Sequence, residues 1–325
     1  MTPLRQLQSN PANVAQIVSR NEQNGPNYPE PVTVAAAKWS SMPTSISTVT
    51  VLGAGVLGSQ IAYQSAYKGF PVIAYDIDDE ALQAAQKRFD HLAATYLNEV
   101  PGADDETTQA ALARLTLTTD LGQAANSDLI IEAVPELLDV KLETYSTLAT
   151  LAPQHTIFAT NSSTMLPSDL KEATGRPDRF LALHFANRIW SSNIAEVMGT
   201  ADTDPAVYEA VVDFAVAIGM VPIELHKEKA GYVLNTLLVP FLGAALELVA
   251  GGYAEPGDVD NTWRIGTGAP VGPFQIYDII GMRTPYNIMS HGDEDAQQMA
   301  AWLKKNYIDK GKLGLASGEG FYKYF

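Results

Sequence analysis

The sequence has no cysteine, which excludes disulfides, a thiolate nucleophile and cysteine-ligated metal. It lacks any apolar run of about eighteen residues or more, so no membrane span is expected. Basic residues are scarce, with 21 Lys and Arg against 37 Asp and Glu, a formal net charge of −16. That field repels a phosphate backbone, and no basic stripe offsets it, so nucleic acid is excluded as a partner. A small anionic ligand remains admissible, because helix N-termini and single cations can hold one. The N-terminus has no basic stretch followed by an apolar core, so a secretory signal is not expected, and the chain reads as cytoplasmic.

What is present is apolar material, 46% of 325 residues, enough for two domains. Residues 1–46 read differently from the rest. NEQNGPNYPEP is rich in Asn and Pro and has no sustained period, which reads as a loosely docked arm. Met42 reads as a candidate alternative start, because MPTSISTVTVLGAG opens directly into the first expected strand.

From Thr48 onward, short β-rich runs alternate with helical ones, including TVTVLG, PVIAYD, LTLTT, DLIIEAV, HTIFAT and RFLALHF. Residues 79–99 and 106–113 read as helices, as does ELLDVKLETYSTLATL. A strand around NIAEVM, the helix PAVYEAVVDFAVAIG and a last strand VPIEL complete this half. The pattern predicts an α/β fold, a doubly wound, mostly parallel Rossmann-type sheet over 47–229 with helices on both faces. After HKEKAG the β runs stop, and an all-helical C-terminal domain is expected over 230–325. Its first helix, around 231–250, is apolar on nearly every face, which predicts burial on all sides and hence a homodimer.

VTVLGAGVLGSQIA places Gly53, Gly55 and Gly58 between a predicted strand and a predicted helix. The first glycine makes the tight turn, the second lets backbone reach a pyrophosphate, and the third allows close helix–strand packing. The N–H groups that open the helix, at Val56 and Leu57, face the phosphates. A lone motif of this kind is weak. Here Asp76 ends the next strand, eighteen residues after Gly58, where its carboxylate accepts from ribose hydroxyls and repels an added phosphate. NAD is the expected cofactor.

LHFANRIWSSNIAEV holds His184 and Glu196, twelve positions apart on two apolar runs. On its own, a histidine ending an apolar strand reads as structural more often than not. Several segments, however, resemble the 3-hydroxyacyl-CoA dehydrogenases in order and spacing over about residues 48–325. They are VTVLGAGVLGSQIA, DLIIEAVPELLDVK, TIFATNSSTM, RFLALHFAN, AEVM, AGYVLNTLLVP, GAPVGPFQIYDIIG and SGEGFYKY. The resemblance implies that His184 is the general acid/base and Glu196 its orienting carboxylate. It implies that Ser163 and Asn235 hydrogen-bond the reacting oxygen, and that Glu136 and Lys141 lie near the nicotinamide half of the cofactor. Asn187 falls in the same loop as His184 in that family.

The chemistry agrees, since oxidising a secondary alcohol needs a base that works near neutral pH while hydride leaves carbon. Structural readings stand beside these roles. Ser163 could cap a following helix, Asn235 could make a buried structural bond, and Lys141 could be a solvated charge. The other histidines, His91, His155, His226 and His291, have no metal-ligand spacing.

The chain departs from the family pattern in HFANRIWSS, where Ala186 replaces an aromatic residue and Arg188 a proline. Arg188 is either a surface cation or a contact to a substrate carboxylate, a CoA phosphate or the cofactor pyrophosphate. The helix 79–99 offers only Lys87 and Arg88 as cations for CoA. The resemblance thus implies a short-chain 3-hydroxyacyl-CoA substrate, with a free small 3-hydroxy acid as the alternative. A non-catalytic dinucleotide-binding protein is the alternative of another class.

Overall fold

The computed structural model describes residues 44–324. The arm read over 1–46 falls almost wholly outside them, as does Met42. The chain divides after Val233 into two compact units.

The first unit is built on one eight-stranded sheet. Its strands are β1 (Val49–Leu52), β2 (Val72–Tyr75), β3 (Leu115–Thr118), β4 (Leu129–Glu132), β5 (Ile157–Thr160), β6 (Phe180–Phe185), β7 (Ile194–Gly199) and β8 (Val221–Leu225). They lie in the order β3-β2-β1-β4-β5-β6-β7-β8. The pairs from β3 to β6 are all parallel. Strand β7 then runs antiparallel to β6, and β8 follows β7. Interior strands such as VTVL, LIIE and IFAT are buried along their whole length, which is why they read as continuous runs rather than alternating ones. Strand order reverses between β1 and β4, and that switch point is where an open sheet of this kind leaves a crevice for a ligand.

Four helices of this unit begin where an Asp side chain accepts from free N–H groups, and the first does not. Helix α1 (Val56–Tyr67) starts at Gly55 with no side-chain cap. In α2 (Asp79–Glu99), the Asp78 side chain accepts from Ala81 N, and Asp79 and Glu80 follow in the first turn, where the helix dipole favours negative charge. Its buried residues Ala85, Phe89, Leu92, Ala93 and Tyr96 recur at three- and four-residue steps, one apolar stripe laid on the core. Helices α3 (Asp105–Ala113), α4 (Leu121–Ala124), α5 (Leu138–Leu151), α6 (Pro167–Leu170) and α7 (Pro205–Ala217) complete the unit.

The second unit contains α8 (Leu234–Ala250), α9 (Pro256–Thr267), α10 (Pro273–Ile280), α11 (Arg283–Ser290) and α12 (Glu294–Asn306). Its core gathers Leu242, Leu246, Phe274, Tyr277, Met282 and Leu303. Two buried aspartates organise it. Asp260 accepts from Phe274 N and Gln275 N at the start of α10, and Asp278 accepts from Phe321 N and Tyr322 N of the C-terminal segment. Burial on every side, expected for 231–250, does not hold within one chain. The helix begins at Leu234, and only Leu242, Ala245 and Leu246 are buried in it, while Leu237 is 68% exposed.

Candidate active site

The dinucleotide turn has the backbone its sequence requires. Gly53 adopts φ +87°, and a Cβ there would lie 2.5 Å from the Ala133 carbonyl oxygen that follows β4. A Cβ on Gly58 would strike the Gly53 carbonyl, so α1 packs against the turn only because that residue is glycine. Gly55 behaves differently. Nothing lies within 4 Å of where its Cβ would be, so the space above it is open to a phosphate. The first N–H groups of α1, from Val56 and Leu57, have no intrahelical acceptor by construction and present a donor cluster there. Asp76 accepts from Ala54 N at 2.9 Å and from Ile77 N at 2.8 Å, one bond on each oxygen. A carboxylate has about four lone-pair sites, so each oxygen retains room for a ribose hydroxyl. These donors and acceptors fit an adenine dinucleotide. Arg88, one of the two cations of α2, donates to the Ala54 carbonyl of the same turn at 3.1 Å.

His184 and Glu196 are direct partners across the antiparallel β6–β7 ladder. The twelve-residue separation in sequence is therefore the length of a hairpin whose register sets the two side chains opposite one another. His184 Nδ1 lies 2.9 Å from Glu196 Oε2, and both residues are buried. An ionised carboxylate can only accept, so Nδ1 carries the proton of the neutral ring and Nε2 keeps its lone pair. Ser163 Oγ sits 3.0 Å from that Nε2. Glu196 Oε1 also accepts from Val233 N at 2.9 Å. Tyr232 stacks on the imidazole with ring centroids 4.3 Å apart and planes at 11°.

The serine loop is held by a carboxylate. Glu136 Oε1 accepts from Ser163 N and Thr164 N at 3.1 Å, from Thr164 Oγ1 at 2.7 Å, and from Ser162 Oγ. Burial alone would push the Glu136 carboxyl up, but the bonds from Ser162 and Thr164 and the Lys141 ammonium hold it below its ordinary value. Lys141 is 1% exposed, bonded to Glu132 Oε1 at 2.5 Å and 3.2 Å from Glu136 Oε2. The solvated reading of Lys141 is thereby overturned. Ser163 does not cap a helix either, since α6 begins at Pro167 after Leu166.

Arg188 is engaged within the chain. Its guanidinium bonds Glu99 Oε2 at 2.9 Å, an oxygen that also accepts from Trp190 Nε1 at 2.8 Å. Its backbone takes φ +62°, and its N–H donates to Gln60 Oε1 at 2.8 Å. This loop, 186–193, is thus tied to α1 and α2. Asn187 is exposed, and Asn235 lies half-buried in the first turn of α8, in the second unit.

Sequence reasoning missed Glu132, Glu99, Gln60 and Tyr232. Glu132 carried a signal, because a carboxylate ending the buried strand LIIE needs a cation, and Lys141 follows nine residues later. The other three are joined to the site only by tertiary packing.

A nucleotide-binding sheet with a glycine turn, an acidic residue closing its second strand, and a histidine–carboxylate pair define an NAD-dependent dehydrogenase. Family models agree in detail: residues 48–229 match the 3-hydroxyacyl-CoA dehydrogenase NAD binding domain, and 231–324 the C-terminal domain of the same family. The chain belongs to the 3-hydroxyacyl-CoA dehydrogenase family, and NAD is its cofactor. The mitochondrial hydroxyacyl-coenzyme A dehydrogenase of Rattus norvegicus is 34% identical over 288 residues, covering 86% of this chain and 91% of the relative. Among solved structures, the (S)-3-hydroxybutyryl-CoA dehydrogenase of Ralstonia eutropha is 28% identical with a TM-score of 0.74, covering 86% of this chain and all of that one. A diketoreductase, described for substrate-directed dual catalysis of dicarbonyl compounds, is 63% identical with a TM-score of 0.84, covering 87% of this chain and 100% of its own.

Proposed function

We propose that the protein interconverts a short-chain 3-hydroxyacyl-CoA and the 3-ketoacyl-CoA, with His184 as the acid/base. The observation that carries this reading is the imidazole held between Glu196 at Nδ1 and Ser163 at Nε2. Bound NAD supplies the hydride acceptor for oxidation, and NADH the donor for reduction. In oxidation, Nε2 takes the hydroxyl proton, and Glu196 stabilises the imidazolium that forms. In reduction the imidazolium returns that proton to the oxygen as the carbonyl becomes an alcohol. When the substrate hydroxyl takes its place at Nε2, Ser163 turns its one proton to the reacting oxygen and stabilises its developing charge. Glu136 and Lys141 hold the serine loop beside the nicotinamide half. The polar contact that the resemblance gives to Asn235 is tested separately by Asn235→Ala.

A second reading is favoured by the diketoreductase, far more similar in sequence than the CoA-dependent relatives compared above. Here the substrate is a free dicarbonyl or small hydroxy acid, reduced by the same pair without CoA. The occupied cations support it, since Arg88 bonds the glycine turn and Arg188 bonds Glu99. NADH oxidation with acetoacetyl-CoA, compared with acetylacetone and free acetoacetate, decides between the two. Faster turnover of the thioester supports the first reading, and faster turnover of the free dicarbonyl the second. NADH binding without turnover on any of them returns the chain to a non-catalytic role.

Homodimer formation belongs to the same proposal, supported by the exposed apolar residues Leu237, Val239 and Leu248 of α8. So does a cytoplasmic location, which subcellular fractionation tests; the rat relative is mitochondrial. Among the described residues, no helix is long and apolar enough to cross a membrane.

A further inference from the structure

We infer that Tyr232 is a positioning residue for His184, holding the imidazole plane so that Nε2 points at the reacting oxygen. The inference rests on His184 as the acid/base. Glu196 and Ser163 fix the two ring nitrogens from the edges, but two edge contacts leave the ring free to rock about the line joining them. Only a contact on the face removes that motion. Tyr232 supplies it, at 4.3 Å and 11° from parallel, and is itself 1% exposed.

Three further observations make the contact a built one. The Tyr232 hydroxyl donates to the Ser162 carbonyl at 2.7 Å, so the ring is pinned to the same loop that presents Ser163. The next residue, Val233, donates its N–H to Glu196, so one dipeptide touches the imidazole face and its orienting carboxylate together. The backbone at Tyr232 adopts φ +51° directly after Gly231 at φ +79°. A bulky residue in the left-handed region persists only where its surroundings hold it there. The inner face of the ring also supplies electron density to the imidazolium formed in catalysis. Burial, then the charges of Glu136, Glu196 and Glu132, raise the phenol far above its ordinary value. Its proton is committed to the Ser162 carbonyl.

Tyr232→Phe and Tyr232→Leu separate ring from hydroxyl, and both leave a Cβ at the same left-handed position, so the backbone cost is shared. Losing one hydrogen bond in Tyr232→Phe lowers kcat by less than about tenfold. Losing the face contact in Tyr232→Leu lowers kcat by about 10²-fold, the size of effect that follows from a misplaced catalytic group. KM and the dissociation constant for NADH stay near wild type, and the solvent deuterium isotope effect on kcat rises as proton transfer becomes limiting. Tyr232→Met replaces the leucine variant if that one does not bind NADH. A ring-less variant that binds NADH and turns over at the wild-type rate overturns the inference. So does a loss of kcat matched by weaker NADH binding with an unchanged isotope effect, which marks a merely structural role. His184→Ala is run in parallel. If it keeps turnover, the acid/base reading fails first and the inference with it. If it is inactive while Tyr232→Leu is normal, only the inference fails.

Discussion

His184 is held by groups of different kinds, a carboxylate on one nitrogen, a hydroxyl on the other and an aromatic face, and each restricts a different freedom. Removing the imidazole in His184→Ala should lower kcat by about 10²–10⁴-fold while NADH affinity, measured by fluorescence titration, stays near wild type. Glu196→Gln is the subtler change. An amide can donate to Nδ1, which would move the ring proton to Nε2 and leave no base facing the substrate, so a comparable loss of kcat is expected with little change in fold. Lys141 belongs to a different balance, that of buried charge. Lys141→Ala leaves Glu132 at 0% exposure without its cation, and a loss of about 3–5 kcal/mol should appear in urea denaturation. At this scale the sequence was legible where a residue type states its own need, as with Gly53, Asp76 and His184. It was mute where the need is met from far away. Arg188 reads as an open cation because its partner Glu99 lies 89 residues earlier.

Elements were legible when their ends carried acceptors and their faces carried a period. The run 79–99 is an instance, with Asp78 accepting at one end and a three-and-four stripe down the middle. Helix α11 escaped notice because Pro285, near its start, reads as a breaker although proline is tolerated in a first turn. The start of α8 was misread for a related reason, since Gly231 and Tyr232 belong to a left-handed turn that an apolar pattern cannot reveal. At the joint between β1 and β4, Asp128 accepts from Ser47 N, Ser47 Oγ and Thr48 N. Burial would raise its carboxyl, but these bonds bring it down to about 2. A depressed carboxyl stabilises the fold above the unfolded value of about 3.9 and loses that effect as pH falls through the folded one. The melting difference between the native protein and Asp128→Asn should therefore vanish as pH falls between about 4 and 2. The Arg188–Glu99 pair is half-exposed, so Arg188→Ala should cost at most about 1 kcal/mol, measured by the same denaturation.

For the whole molecule, the net charge of −16 has a measurable result. A CoA thioester carries several negative charges and approaches against that field, whereas a neutral dicarbonyl does not. Raising ionic strength screens the repulsion, so kcat/KM for acetoacetyl-CoA should rise between low and moderate salt while that for acetylacetone stays flat. Sedimentation velocity at micromolar concentration should show a dimer of the 35.0 kDa chain, and Leu237→Glu should shift it towards monomer. The hairpin has a consequence of another sort. Because His184 and Glu196 face one another in the β6–β7 ladder, a one-residue slip of β7 would turn the carboxylate to the opposite face of the sheet and part the pair. The connecting residues 186–193, anchored by Gln60, Glu99 and the buried Ile189, hold that register, so a change of loop length acts on the proton-transfer pair itself.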